Sequence, residues 1–213
     1  MKRYIFIIIM LFFCLLITVA FKNKQKTLSN ITIILDAGHG GKDVGASYKK
    51  IYEKDLNLKL TLCLKEILEK KNANVILIRN GDYDLSTPNA KRRKKSDFDN
   101  RIKLINTSKA DIYLSIHLNY FSNPVYKGAQ VFYTNNFKEN KILAKNIQHN
   151  LNQNRKIKEI NNNLYMYNKL KIPGVLIEYG FLSNKTDRNN LQNESYIKKI
   201  SENIADSIID TLN

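Results

Sequence analysis

Three histidines occur in the 213 residues, and two of them follow short apolar runs. His39 comes after Ile31–Leu35, and His117 comes after Asp111–Ile116. Glu178 follows a third run, Val175–Ile177. Glu53 stands just ahead of Leu56, Leu60, Cys63, Leu64, Ile67 and Leu68, which recur at helical spacing. If the runs are strands, two imidazoles and two carboxylates meet at one rim of a sheet. Imidazole nitrogen and carboxylate oxygen suit zinc, and a catalytic zinc takes three protein ligands and leaves a position for water. Two His and one Glu meet that count. The other carboxylate would remain as general base toward the water. His149 stands among Asn and Lys and reads as a solvated surface residue. Cys63 reads as a small core residue of its helix, and two Cys are too few for a disulfide framework or a Cys-based zinc cluster.

The elements that must position these groups alternate along the chain. Ile31–Leu35 is β-branched and apolar, as a strand buried on both faces would be. It runs into Asp36-Ala37-Gly38-His39-Gly40-Gly41, a turn suited to a glycine-rich backbone. A helix is predicted over about 54–71, a strand over 75–78, and a polar loop over 82–96. Ile102, Leu104 and Ile105 mark a short helix, and 111–116 and 129–133 mark two further strands. A helix follows near 142–151, a strand at 175–177, and a terminal amphipathic helix from Tyr196 to Leu212. This alternation predicts a single three-layer α/β domain with a twisted, mostly parallel sheet flanked by helices. Ligands of such sheets bind beyond the carboxyl ends of the strands, where the four residues fall.

Tyr4–Phe21 is an uncharged, mostly apolar run of a length that would nearly span a bilayer. The expected division is therefore residues 1–28, a membrane-anchoring hydrophobic helix or signal peptide plus linker, and 29–213, the catalytic domain. Phe13 ahead of Cys14 argues against lipidation there. The chain carries a formal charge of +16; residues 1–28 hold five basic and no acidic residues, which leaves +11 on the remainder. A basic domain outside the cytoplasm would meet anionic wall polymers or lipid rather than nucleic acid, and no aromatic-plus-basic nucleic-acid motif is present.

Four segments carry a resemblance. Ile33–Ala46, Glu53–Leu58, Ser115–Asn119 and Ile177–Asn184 are similar, in order and spacing, to the signature motifs of the zinc-dependent N-acetylmuramoyl-L-alanine amidases of peptidoglycan. The resemblance covers nearly all of 31–212. It implies hydrolysis of the amide between N-acetylmuramic acid and L-Ala, with one Zn2+ per chain on His39, Glu53 and His117, and Glu178 as the catalytic carboxylate. Asn119 and Arg101 are implied as substrate-binding residues. Ala37 stands where the family usually has Pro, in a turn that contributes no ligand. The short N-terminal segment, Gly128–Tyr133 and the lack of wall-binding repeats resemble the spore-cortex, germination-specific branch. A vegetative amidase of cell separation, or a non-catalytic wall-binding protein on the same fold, are the alternatives. Asn119–Pro173 holds one strand, one helix and little more, so no autoinhibitory helix is expected there, and regulation by an activating partner protein stays open. Arg79, Arg101 and the run Lys91–Lys95 allow two readings: a solvated loop with Arg101 bridging it, or a clamp on anionic glycan or peptide carboxylate. Tyr165, Tyr167 and Tyr179 could equally be core, rim or sugar-stacking residues.

Overall fold

The computed structural model describes residues 27–151, 155–160 and 164–212. The hydrophobic segment at 4–21 lies outside the described residues. Among the described residues, no helix is long and apolar enough to cross a membrane.

The first strand, β1 (Thr32–Ala37), is followed by a two-residue-per-strand hairpin, β2 (Ser47–Tyr48) and β3 (Ile51–Tyr52). Helix α1 (Glu53–Lys70), β4 (Asn74–Leu77), α2 (Arg93–Thr107), β5 (Ile112–Asn119) and β6 (Gln130–Tyr133) come next. Then come α3 (Lys138–Asn150), β7 (Lys158–Glu159), a 3-10 turn at Tyr167–Lys169, β8 (Gly174–Phe181), α4 (Lys185–Asn190) and α5 (Glu194–Leu212). Six strands form one sheet in the order β4-β1-β5-β8-β6-β7. The β4, β1, β5 and β8 neighbours pair in parallel, and β6 runs antiparallel to β8. The expected α/β architecture and mostly parallel sheet are therefore present.

Strand alternation sorts the core into two. Ile33, Leu35, Ile112, Leu114, Ile116, Val175 and Ile177 face a layer built by α1, α3 and α5. Ile34, Tyr113 and Leu176 face the other way, against Ile105 of α2 and the segment holding Ile160, Met166, Tyr167 and Leu170. Among the described residues, three helices thus cover one face, and one helix with Ile160 and the 164–172 stretch covers the other.

The structure differs from the sequence-based expectation in four places. Helix α2 begins at Arg93, inside the stretch expected as loop. Its first turns are held by the loop they follow: Asp97 Oδ1 accepts the Leu85 amide at 2.7 Å, and Asn100 donates to the Leu85 carbonyl at 2.6 Å. His117 and Glu178 lie inside β5 and β8 rather than after them. The β2–β3 hairpin, β7 and α4 carry too few apolar residues to show a period. Cys63 is half-buried at the margin of the core between α1 and α5, not within it.

Candidate metal centre

The register of β5 and β8 places His117 directly opposite Glu178. Both belong to the alternation that also points Asp36, Tyr113 and Ser115 toward the one-helix face. His39 sits in the turn after β1 with φ +63°, a left-handed conformation uncommon outside Gly. Glu53 is the first residue of α1, where the helix dipole favours a carboxylate, and is only 4% exposed.

These elements bring three donors together. His39 Nε2 lies 3.2 Å and His117 Nδ1 3.0 Å from the same Glu53 oxygen, Oε1. One ligand atom from each of the three falls within 4.8 Å of the others. The two rings meet edge to face at 4.9 Å. Glu53 is fixed by other donors as well: the Leu118 amide at 3.1 Å and Asn57 Nδ2 at 3.2 Å reach Oε1, and the Ala46 amide at 2.8 Å reaches Oε2. Close approach demands glycine twice. A Cβ on Gly38 would collide with the His117 ring, and Gly45, at φ +66°, would place one 2.6 Å from Glu53 Oε2.

Electrostatics follow from the geometry. Burial works to lower His39, but hydrogen bonds to Asp43 and Glu53 outweigh it and raise the group to about 9. Burial works to raise Glu53, and its contacts with His117 and His39 outweigh it and hold the carboxyl far below the usual range. Glu178 goes the other way: burial, reinforced by the Glu53 charge, pushes it up to about 8. Its Oε2 is shielded from solvent and has no hydrogen-bond partner among the described residues. It borders a cavity of about 280 Å3 that His39, His117, Tyr165 and Leu176 also line.

Asp43 was not singled out from sequence, yet it accepts from His39 Nδ1 at 3.1 Å. A carboxylate on the far nitrogen of a histidine fixes its tautomer and strengthens it as a ligand. The available signal was the spacing, four residues from His39.

Arg79 and Arg101 are 1% and 2% exposed. Arg101 pairs with Asp36 and with Asp97 at 2.9 Å, and donates to the carbonyls of Ala37 at 3.2 Å and His39 at 2.7 Å. Arg79 donates to the carbonyls of Ala37 (2.8 Å), Gly38 (3.0 Å), Gly81 (3.0 Å) and Lys54 (2.7 Å). Together they hold three successive carbonyls of the His39 turn, and Arg79 also ties that turn to the start of α1. Of the two readings for Arg101, bridging is the one its contacts carry. In the basic run, Arg93 pairs with Asp84, Lys94 with Asp43 at 3.6 Å and Lys95 with Asp99 at 2.6 Å. It opens a helix rather than forming a free clamp. Asn119 ends β5 half-buried, its carbonyl accepting the Leu182 amide at 2.8 Å. Tyr167 and Tyr179 are buried, Tyr165 sits at the cavity rim, and His149 is exposed.

The N-acetylmuramoyl-L-alanine amidase family model matches residues 33–210. The germination-specific N-acetylmuramoyl-L-alanine amidase of Bacillus subtilis (strain 168) is 40% identical over 190 residues, which cover 85% of this chain and 80% of that one. Among solved structures, the CwlD amidase from Clostridioides difficile in complex with the GerS lipoprotein superposes with a TM-score of 0.81 and 39% identity, over 86% of this chain and 98% of that one. The catalytic domain of CwlV, an N-acetylmuramoyl-L-alanine amidase from Bacillus (Paenibacillus) polymyxa var. colistinus, gives a TM-score of 0.73 and 28% identity, over 85% and 98% of the two chains. With the family model matching residues 33–210 and including every residue of the His-Glu-His cluster, this chain belongs to the N-acetylmuramoyl-L-alanine amidase family.

Proposed function

We propose that the protein hydrolyses the amide between the lactyl group of N-acetylmuramic acid and L-Ala of the stem peptide, with zinc held by His39, Glu53 and His117. The observation that carries this reading is the donor set itself. Two imidazoles and one carboxylate converge within 4.8 Å, with Glu178 on the adjacent strand beside them. That is the ligand count and chemistry of a catalytic zinc with a position left open. Bound there, zinc would supply the Lewis acidity that makes water nucleophilic near neutral pH and polarises the amide carbonyl.

The chain's own groups do the rest. Asp43 holds the His39 ring by its Nδ1. Arg79 and Arg101 hold the turn that presents His39. Glu178 takes the proton of the attacking water and returns it to the departing amine of L-Ala. Burial suits Glu178 to both halves of that task, because its unpartnered Oε2 has no other proton to accept. Asn119, which ends β5 two residues beyond His117, is assigned to substrate contact in this reading.

The germination-specific relative and the CwlD likeness support a role in the spore cortex. The CwlD–GerS complex supports a protein partner for this chain too. The domain is read as extracytoplasmic, in the cell wall or the forespore intermembrane space, anchored or exported by residues 1–28.

The test is mass spectrometry of soluble products released from purified peptidoglycan, with and without a chelator. Free stem peptides beginning at L-Ala, lost on chelation and restored by zinc, are expected. A folded, zinc-loaded protein that releases none, alone or with a partner lipoprotein, overturns the reading.

A further inference from the structure

We infer that the loop between β5 and β6 is a glycan-stacking platform that holds the sugar chain of the substrate beside the metal centre; this rests on the peptidoglycan reading above. Tyr120, Phe121 and Tyr126 are 49%, 50% and 44% exposed, and Val125 beside them is more exposed still. Such a cluster of large apolar side chains on a surface loop calls for an occupant.

The loop is built to hold its rings in place. Phe121 meets Tyr126 edge to face at 4.9 Å, and Tyr126 stacks on Phe181 at 6.3 Å. The other end of that stack is closed by the Arg155 guanidinium, 4.8 Å from the Phe181 ring centre. The backbone is pinned as well: the Phe121 amide donates to Ser183 Oγ at 3.3 Å, Asn184 Nδ2 donates to the Pro124 carbonyl at 2.7 Å, and the Gly128 amide donates to Asp187 Oδ2 at 2.7 Å. Pre-ordered rings lose little freedom when a ligand lands on them.

Position and chemistry select a sugar chain. Tyr120 is three positions beyond His117, no more than about 11 Å along an extended chain. The muramic acid ring is joined to the reacting carbonyl through the lactyl ether alone, so the glycan must cross the rim of this site. Sugar rings offer C–H faces to aromatic faces and hydroxyl and acetamido groups to polar neighbours. Ser122, Asn123 and Lys127 interleave with the rings, and the loop from 120 to 128 has no acidic residue. A protein partner fits less well, since a stable interface takes about 20–30 residues a side, whereas the exposed large apolar residues of this loop are Tyr120, Phe121, Val125 and Tyr126.

The experiment titrates the full chain in detergent with soluble, peptide-free GlcNAc–MurNAc strands by calorimetry. Light scattering and zinc content are measured alongside. Wild type is expected to bind, and Phe121→Ser and Tyr126→Ser are each expected to weaken binding by about tenfold, the effect of withholding part of one aromatic side chain from burial. Zinc content should not move, and the melting temperature should fall by only about 2–4 °C from the lost ring contacts. Equal glycan affinity in the variants overturns the platform, as does a wild type that does not bind the strands. So does a change from dimer to monomer with glycan affinity unchanged, which would make the patch a self-association face. The readout involves no turnover. Failure here therefore leaves stem-peptide release intact, while failure of the amidase reading appears as no release whether or not glycan binds.

Discussion

Ile177 and Glu178 are neighbours in β8, and their side chains leave opposite faces of the sheet. Ile177 enters a core where α1, α3 and α5 supply Leu, Ile and Ala. Glu178 enters a cavity shared with His39, His117, Asp36 and Arg101. The same alternation divides Ile116 from His117 and Leu35 from Asp36. Three helices can pack one face into a continuous apolar layer. A single helix and a long loop cannot, and the carboxyl ends of the strands on that side are left for polar side chains. The fold's stability and its chemistry are thus separated by one residue of register. A polar group is tolerated on the thin face because other polar groups meet it there: Tyr113 Oη donates to Asp36 Oδ2 at 3.0 Å, and Tyr167 Oη pairs with Ser115 Oγ at 2.8 Å.

The sharpest way to test that division is to alter the two neighbours separately. Glu178→Gln should lower the rate of stem-peptide release by about 10²–10⁴-fold, the usual cost of losing a general base, with zinc content unchanged. Ile177→Ala should do the reverse, losing about 2–5 kcal/mol of stability with zinc affinity and rate per folded molecule preserved. Denaturant melts and single-turnover rates on both variants decide the matter. A Glu178→Gln enzyme with near-normal turnover would sink the division. Arg101→Met comes next in size. It leaves Asp36 and Asp97 buried without their cation, so a loss of about 3–5 kcal/mol is expected. Leu64→Ala, on the three-helix face, should cost about 2–5 kcal/mol. Only the Arg101 variant should also weaken zinc binding in calorimetry, because only it frees the His39 carbonyl. Equal zinc affinity in both would show that the turn does not need Arg101.

The three-helix face was the more legible of the two in the sequence. Its helices carry unbroken apolar periods, as in Leu56–Leu68 and Tyr196–Leu212, and its strands are β-branched runs. The convergence of His39, Glu53 and His117 was legible too, because each sits in a compact motif, as does Glu178 opposite His117. The support beneath it was legible only as two alternatives for Arg101, bridging or binding substrate. Arg79 reaches back to Gly38 across the β1–α1–β4 unit, and Arg101 reaches back to Asp36 from the helix beyond it, so a local window shows only two more basic residues in a basic chain. The start of α2 was hidden for a related reason. Lys91–Lys95 has no apolar residue, so no helical period could appear, and the helix is set instead by side chains at 96–100 bonding the loop before it. The β2–β3 hairpin is short and polar, yet it places the Ala46 amide on Glu53.

Asp43 offers a smaller test confined to the thin face. Asp43→Asn keeps the shape and removes the charge that orients His39, so zinc affinity should fall by about 10–100-fold with little change in melting temperature of the metal-free protein. An unchanged affinity by competition with a chromophoric chelator would remove Asp43 from the ligand support.

A last test is one of pH, and its sign distinguishes the faces. Folding raises Glu178 from 4.5 to about 8, through burial and then the Glu53 charge. It raises His39 from 6.5 to about 9, the Asp43 and Glu53 hydrogen bonds overcoming burial. In both cases the folded state holds a proton that the unfolded state releases. The stability these groups contribute is complete below their unfolded values and is lost as pH rises through the folded ones. The metal-free protein should therefore melt at progressively lower temperature from pH 5 to 9. On the three-helix side, Tyr179 and Cys63 are both raised from values already near the top of that window, so that layer adds little slope within it. Zinc competes with the protons on His39 and offsets the Glu53 charge, so its stabilising effect should grow over the same range. Glu178→Gln should flatten the lower half of the metal-free slope, between pH 5 and 8, and leave the upper half to His39. Melts of wild type and variant in chelator, followed by circular dichroism, would show it. A wild-type slope of the opposite sign would mean that the unfolded state binds more protons than the folded one over this range, and that Glu178 and His39 do not hold theirs.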